Sequence, residues 1–421
     1  MGINSFKETI LNRLKELWAY KIFKIAVLTH TFYAVFSIIF LIVVLRDLSD
    51  FYVYYKSAGI FIEDIQELYN QSNYPYAYRY FPLSAVFYIP FYLMGLELGF
   101  IFYVILNYFL CIITSVLLYK IIMKIRGKDH EQGEERVVLY LCLFFMGLPH
   151  LSNYILGQNN ILVTFMMILS LYLFLKHDSI KMEFIASLLL GISIIIKPIT
   201  ITIIPFLLLI EFDRNRKRFK LDFIKSIIRI IGSLIPLALN LIYFILYPKL
   251  WDDFLQTNFT GTNPVDINFS FSLTKLIING FHSFGAPYSQ LMILFITLLL
   301  FGGSGFLFYV FRKKIKHQIL FGYVYSVIIT LIVYFDSWDH HLLTLTPLLI
   351  IMLFFLPRNS KITKNYIKPG FMFFNFLDIG FFALFLLIYP FFPFNFVPTI
   401  VLILVFYAIS NYCLRDNRVE P

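Results

Sequence analysis

The sequence predicts an all-α polytopic membrane protein, and three observations lead there. Of its 421 residues 59% are apolar and 19% aromatic while 14% carry charge, against about 25% in an ordinary soluble domain. Mean hydropathy is +0.77. Apolar runs recur from end to end at about 20 residues, the length that crosses ~30 Å of hydrocarbon. A soluble globular chain is thereby excluded, and so is a transmembrane β-barrel, whose short alternating strands leave a different pattern. No small-residue cleavage site follows the first run, which reads as an anchor rather than a signal peptide. Cys111, Cys142 and Cys413 lie inside apolar runs, so no disulfide or zinc framework is visible from their spacing. The net charge of +10 reports orientation before it reports partners, and no nucleic acid is expected among them.

Taken in order, the runs and their breaks predict about twelve membrane helices near 23–45, 98–119, 137–156, 160–175, 183–196, 199–212, 223–247, 287–311, 318–335, 342–357, 371–390 and 394–414. The shorter ones come in pairs hinged at polar or Pro-containing turns, where irregular backbone is tolerated if buried in protein. An even count places both termini in the cytoplasm. The basic residues then test the count, because 28 of the 35 fall on the inner side, as the positive-inside rule requires. Arg46, Lys56, Arg79, Lys249 and Lys275 remain outside, with Lys197 and Arg229 at membrane depth. The chain 1–421 reads as one transmembrane domain in the cell membrane. Its inner loops are too short for a nucleotide-binding domain, whereas outer loop 1 (46–97) and outer loop 2 (248–287) are long and dense in Tyr, Asn, Asp and Phe. Loops of that length in a compact protein are usually functional, which puts the active site on the outer face.

Outer loop 1 opens with Arg46-Asp47-Leu48-Ser49-Asp50. On a helix, Asp47 and Asp50 would share a face, and either can be a general base near low-dielectric surroundings; equally, Asp47 or Ser49 can cap a short interfacial helix. Phe61, Ile65 and Leu68, with Glu63, Asp64 and Glu67 between them, predict an amphipathic helix lying on the bilayer. The apolar stretch 83–94 is too short to span and predicts a juxtamembrane or re-entrant helix. Most tyrosines of Tyr74–Tyr80 fit an interfacial aromatic belt, with Tyr54 and Tyr78 as candidate sugar or acceptor contacts. Arg79 is suited to a phosphate oxygen.

Further along, the turn Gly157-Gln158-Asn159-Asn160 offers three carboxamides, each donor and acceptor, for sugar hydroxyls or for helix capping. The next turn carries Lys197-Pro198, a cation that either serves function or snorkels to the interface. Asp336-Ser337-Trp338-Asp339-His340-His341 can contact phosphate or sugar, or hold a metal, although adjacent histidines do not easily ligate one ion from a single helix face. Asp378 and Arg229 have no evident partners.

In this order the pieces resemble the GT-C membrane glycosyltransferases, specifically the family-87 type related to polyprenol-phosphate-mannose-dependent α-mannosyltransferases. The resemblance is carried by DFYVYYKSA (Asp50–Ala58), LY (Leu68-Tyr69), YRYFPLSAVFYIPF (Tyr78–Phe91), GQNNIL (Gly157–Leu162), the Lys197-Pro198 turn and INFSFSLTKLI (Ile267–Ile278), and weakly by WDHHLLTLTP (Trp338–Pro347). Phe81-Pro82 departs from it where the family often has two prolines. The resemblance implies a GT-C-like fold and a hexose, mannose by family, taken from a polyprenyl-phosphate-sugar donor to a lipid-linked or glycan acceptor. It also implies Asp50 as base, with Asp47 in reserve. The growing charge on the leaving phosphate would be met by Arg79, Lys197, His340 or His341, so that no cofactor or divalent metal is expected. Twelve helices with broken pairs would also serve a transporter or lipid flippase. Against that, neither half of the chain repeats the other, and the polar residues concentrate on one face.

Overall fold

The computed structural model describes residues 15–126, 133–214, 216–260, 270–313, 315–388 and 396–414. Lys7, Arg13, Lys128, Lys314, Arg415, Arg418, both termini and the first residues of the Ile267–Ile278 motif lie outside them. The apolar runs become helices because only a helix satisfies its own backbone where no water competes. Among the described residues seven helices are long and apolar enough to cross a membrane: Lys21–Leu48, Leu96–Ile125, Glu134–Leu156, Phe223–Leu246, Gln290–Val310, Thr363–Leu384 and Val397–Leu414. Shorter apolar helices cover Pro82–Leu93, Asn160–Lys176, Pro198–Leu207, Gln318–Val333 and Asp339–Phe355. The protein is an all-α polytopic membrane protein.

The first half positions the site. Helix α1 (Lys21–Phe40) continues through a π turn and a 3-10 turn to Leu48. Then come α2 (Asp50–Glu63), α3 (Pro82–Leu93), α4 (Leu96–Ile125), α5 (Glu134–Phe145), α6 (Leu148–Leu156), α7 (Asn160–Lys176) and α8 (Ile180–Ile196). The expected helix over 137–156 is broken into α5 and α6 at Gly147. Pro149 has no N–H to give the carbonyl four residues back, and His30 Nδ1 meets that Phe145 carbonyl at 2.8 Å instead. Tyr33 donates to Met146 O at 2.9 Å and Asn375 to Leu143 O at 2.7 Å, so neighbouring helices satisfy the backbone that the break exposes.

Four sequence expectations change. The helix expected over 199–212 ends as a 3-10 helix at Leu207, and the chain turns into a hairpin, β1 (Ile210–Asp213) against β2 (Arg218–Leu221), before α9 (Phe223–Leu246). Asp64 ends α2 in an extended conformation, and a 3-10 turn follows, so Phe61, Ile65 and Leu68 do not form one helical stripe. Tyr69, Tyr74 and Tyr78 are buried in a satellite core with Val53, Phe244 and Leu250. Their hydroxyls donate to the carbonyls of Tyr80, Leu68 and Phe81, which makes this segment a packed joint between the two long loops rather than an aromatic belt. Finally, Arg229 has a partner: its Nε lies 2.5 Å from Glu183 Oε2, with both side chains buried. That pair sits between α8 and α9, whose backbones approach so closely that a Cβ on Gly191 would lie 2.4 Å from the Ser233 carbonyl oxygen, the small-residue contact by which membrane helices associate.

The two ends of the bundle differ in chemistry. At one end Arg214 donates to the carbonyls of Phe311 and Leu414, and Lys225 pairs with Asp178. At the other, the two long loops meet through Lys249 and Glu67 at 3.0 Å.

Candidate active site

Ser49 has extended backbone, and its Oγ accepts from Tyr52 N at 3.2 Å. It is therefore the N-cap of α2, and Asp50 is that helix's first residue, where the positive end of the helix dipole favours a carboxylate. Asp47 lies one turn earlier, in the 3-10 segment, and is exposed. The two acids do not share a helix face. Asp50 is half-buried.

Opposite α2 stands the turn between α6 and α7. Gly157 is left-handed at φ +68, and a Cβ there would lie 2.5 Å from Phe51 Cβ, so only glycine fits beside α2. Gln158 N donates to Asn153 O at 2.8 Å, while Gln158 O accepts from Asn153 Nδ2 and Tyr103 Oη, both at 2.9 Å. With its backbone held on both sides, the Gln158 side chain has one direction. Its Oε1 accepts from Lys197 Nζ at 2.8 Å and from Tyr54 Oη at 3.1 Å, and the same side chain helps to hold the negative charge of Asp50. Tyr54 Oη also meets Tyr80 Oη at 2.8 Å.

Lys197 ends α8 in an extended conformation that Pro198 enforces on the residue before it. The side chain is 4% exposed, which excludes snorkelling. Its charge is held by a neutral amide and faces Asp50 only through space. Burial pushes the Asp50 carboxyl above the usual aspartate range, while His340, the Gln158 amide and Lys197 pull it back in part. His340 is buried, with Nδ1 3.6 Å from Asp339 Oδ1. The other Asp339 oxygen accepts from Ser152 Oγ. His341 is also buried, but its Nδ1 accepts from Trp338 N at 3.1 Å and caps its own turn.

The structure thus gathers Asp50, Tyr54, Gln158, Lys197 and His340 from four separated segments. The remaining candidates lie elsewhere. Arg79 is exposed and paired with Asp336 at 2.6 Å. Tyr78 is buried and donates to Phe81 O. Asn159 Nδ2 donates to Ile196 O and Asn160 Nδ2 to Asn153 Oδ1, both at 3.2 Å, so these two carboxamides brace the turn. Tyr80, Ser152 and Tyr103 join the site without having been singled out. Tyr80 stood in the same tyrosine-rich run as Tyr78, whereas Ser152 and Tyr103 gave no local signal.

Volume points elsewhere than chemistry does. A cavity of about 730 Å³ opens at the opposite end, lined by Lys124, His177, Glu211, Lys225 and Arg229 among others. The Lys225–Asp178 and Arg229–Glu183 pairs hold its walls. A half-buried carboxylate beside a cation that no anion neutralises in contact is the combination that moves protons and stabilises leaving groups, and that combination belongs to the Asp50 end.

The family model of glycosyltransferase family 87 matches residues 78–334, more than half of the chain. The chain belongs to glycosyltransferase family 87. No curated protein and no solved structure matches it. The family-87 span takes in Tyr78, Arg79, the 157–160 turn and Lys197, while Asp47, Asp50, Tyr54, His340 and His341 lie outside it. As a family-87 member the protein is a membrane glycosyltransferase, and its substrates are a sugar donor and an acceptor.

Proposed function

We propose that this family-87 glycosyltransferase takes a hexose, mannose in the first instance, from a polyprenyl-phosphate-sugar and transfers it to a lipid-linked or glycan acceptor on the outer face of the cell membrane. Both termini are then cytoplasmic. The observation that carries the reading is the convergence of Asp50, Gln158 and Lys197 at one end of the bundle. Nucleotide sugars are made inside the cell, and the short loops of the opposite end offer no domain for them. A donor used at the Asp50 end therefore arrives attached to lipid.

In this reading Asp50 takes the proton of the acceptor hydroxyl. The hydroxyl oxygen forms a bond to the anomeric carbon as the bond from that carbon to the phosphate oxygen breaks, with inversion. The leaving polyprenyl phosphate takes up the bonding pair, and Lys197 and His340 meet its charge, with Arg79 near the surface. Gln158 holds Asp50 and Lys197 in register, and Tyr54 and Tyr80 offer hydroxyls to the sugar. No metal ion is assigned a part in the transfer.

The test is purified protein given polyprenyl-phosphate-hexose and acceptor in the presence of a chelator. A new glycosidic bond is expected, with no transfer from a nucleotide sugar. Transbilayer movement of the lipid without a new bond would replace this reading with a flippase. Strict dependence on a divalent ion would move His340 and Asp339 into a metal site.

A further inference from the structure

Outside the Asp50 site, three metal-ligating side chains converge from three helices in the middle of the bundle: His30 on α1, Cys111 on α4 and His150 on α6. They are 0%, 2% and 1% exposed. One ligand atom from each lies within 4.8 Å of the other two. Cys111 Sγ is 3.6 Å from His150 Nδ1, His30 Nε2 is 3.0 Å from Tyr154 Oη, and Tyr154 Oη is 3.9 Å from Cys111 Sγ.

Two features say that this is more than a hydrogen-bonded contact between helices. His30 Nδ1 lies 2.8 Å from the Phe145 carbonyl, which can only accept. That nitrogen carries the proton, so the lone pair of a neutral His30 is on Nε2, the atom facing the cluster. A backbone carbonyl on the far nitrogen is the usual way a ligating imidazole is oriented. The second feature is that His150 Nδ1 faces the Cys111 sulfur at 3.6 Å, a weak hydrogen-bond partner, so the lone pair of this nitrogen remains available to an ion held between the two side chains. Ionisable side chains inside a membrane domain are costly enough to mark function by default.

We infer that His30, Cys111 and His150 bind one thiophilic d10 metal ion, Zn(II) or Cu(I), with Tyr154 donating to the sulfur or completing the coordination. Two imidazoles and a thiolate are the donors such ions prefer. Metal–nitrogen and metal–sulfur bonds of about 2.0 and 2.3 Å place ligand atoms roughly 3.5 Å apart, the separation already present between Cys111 and His150. Binding breaks the Cys111 S–H bond, the proton leaves to water, and the sulfur pair forms the bond to the metal, with no change of oxidation state. Cu(I) with one thiolate makes a neutral unit, which suits a dry interior; Zn(II) leaves one positive charge unless Tyr154 also ionises. The site clamps α1 against the broken helix about two turns before the Gly157–Gln158 turn. Because the three residues stand far apart at positions 30, 111 and 150, no local spacing announces them.

The experiment measures metal content of the purified full chain and its uptake on titration with Zn(II) alone and with Cu(I) alone. About one equivalent of one of these ions per chain is expected. The content should fall at least tenfold in Cys111→Ser and His150→Gln and stay unchanged in Cys142→Ser, a buried thiol away from the cluster. Whichever ion loads decides between the two charge states. Co(II) added to the wild-type chain should give a thiolate charge-transfer band, which needs no variant to fold. Absence of that band together with no uptake of either ion, or metal retained in a monodisperse Cys111→Ser chain, overturns the proposal. The readout is metal and not transfer, so its failure leaves the glycosyltransferase reading untouched.

Discussion

Two buried cations of this protein behave in opposite ways. Arg229 touches Glu183 at 2.5 Å and lies 4.6 Å over the Phe174 ring, a closed pair between two helices. Lys197 is buried as deeply, yet its contact is a neutral amide, and the carboxylate it faces acts on it through space rather than in an ion pair. A matched pair cancels its own charge and serves the fold. In the mismatched arrangement both charges stay available to a third party, which is what the proposed leaving phosphate and acceptor hydroxyl require. This difference, rather than burial or cavity size, separates the two ends of the bundle.

The comparison breaks most visibly at Asp50. Asp50→Asn keeps the shape and removes the proposed base, so transfer should fall roughly 10²–10⁴-fold, the usual contribution of general-base catalysis, while donor binding measured on the same protein persists. Asp47→Asn, on an exposed residue, should stay near wild type. The reverse ranking would move the base to Asp47.

Lys197 and Arg229 sharpen it next. Lys197→Met should slow transfer by roughly 10²-fold, or ~3 kcal/mol if it acts as one preorganised electrostatic contact, with little change in thermal unfolding. Arg229→Met should do the opposite. It strands Glu183 in the interior, which typically costs ~3–5 kcal/mol, and replacing Glu183 by Leu as well should recover most of that stability. If both lysine and arginine variants lose only stability, the two cations play the same structural part.

The pH profile follows from the same geometry. Asp50 can accept a proton only when ionised, and burial raises its pKa, so activity should be lost as pH falls through a value above the ~3.9 of an ordinary aspartate. Lys197 pulls that pKa down, so Lys197→Met should move the acid limb further up, measured as kcat/KM against pH. A limb that stays in place would separate the two residues.

Much of this was legible in the residues. Long apolar runs and the positions of Lys and Arg define a polytopic helical protein because the membrane leaves the backbone few choices. Asp50, Gln158 and Lys197 stood out because each interrupts such a run. Contacts across the sequence were not legible. Nothing near Arg229 points to Glu183, and nothing near the tyrosines of 74–80 shows that Phe244 and Leu250 would cover them. The hairpin after Leu207 was hidden because its first strand continues an apolar run. The roles of Asn159 and Asn160 stayed open because a carboxamide can brace a turn as readily as bind a sugar. Asp378 remains a carboxyl buried without a hydrogen-bond partner among the described residues, and nothing in the structure explains it.

The smallest effect is expected at Arg79, where the comparison meets the surface. Its side chain is 44% exposed and its pair with Asp336 is accessible on both sides, so salt screens it, and pairs of this kind contribute about 0.2–1 kcal/mol. Arg79→Ala should therefore weaken transfer only about two- to fivefold, with the loss shrinking as ionic strength rises. Asp336→Asn separates the two roles Arg79 can play. If the guanidinium serves the donor phosphate, removing its competing carboxylate should leave KM for the donor equal or lower while Arg79→Ala raises it. If the pair only latches the first long loop to the segment before Asp339, both variants should lose activity alike. An equal loss would confine the charge that acts on the leaving group to the buried Lys197 and His340.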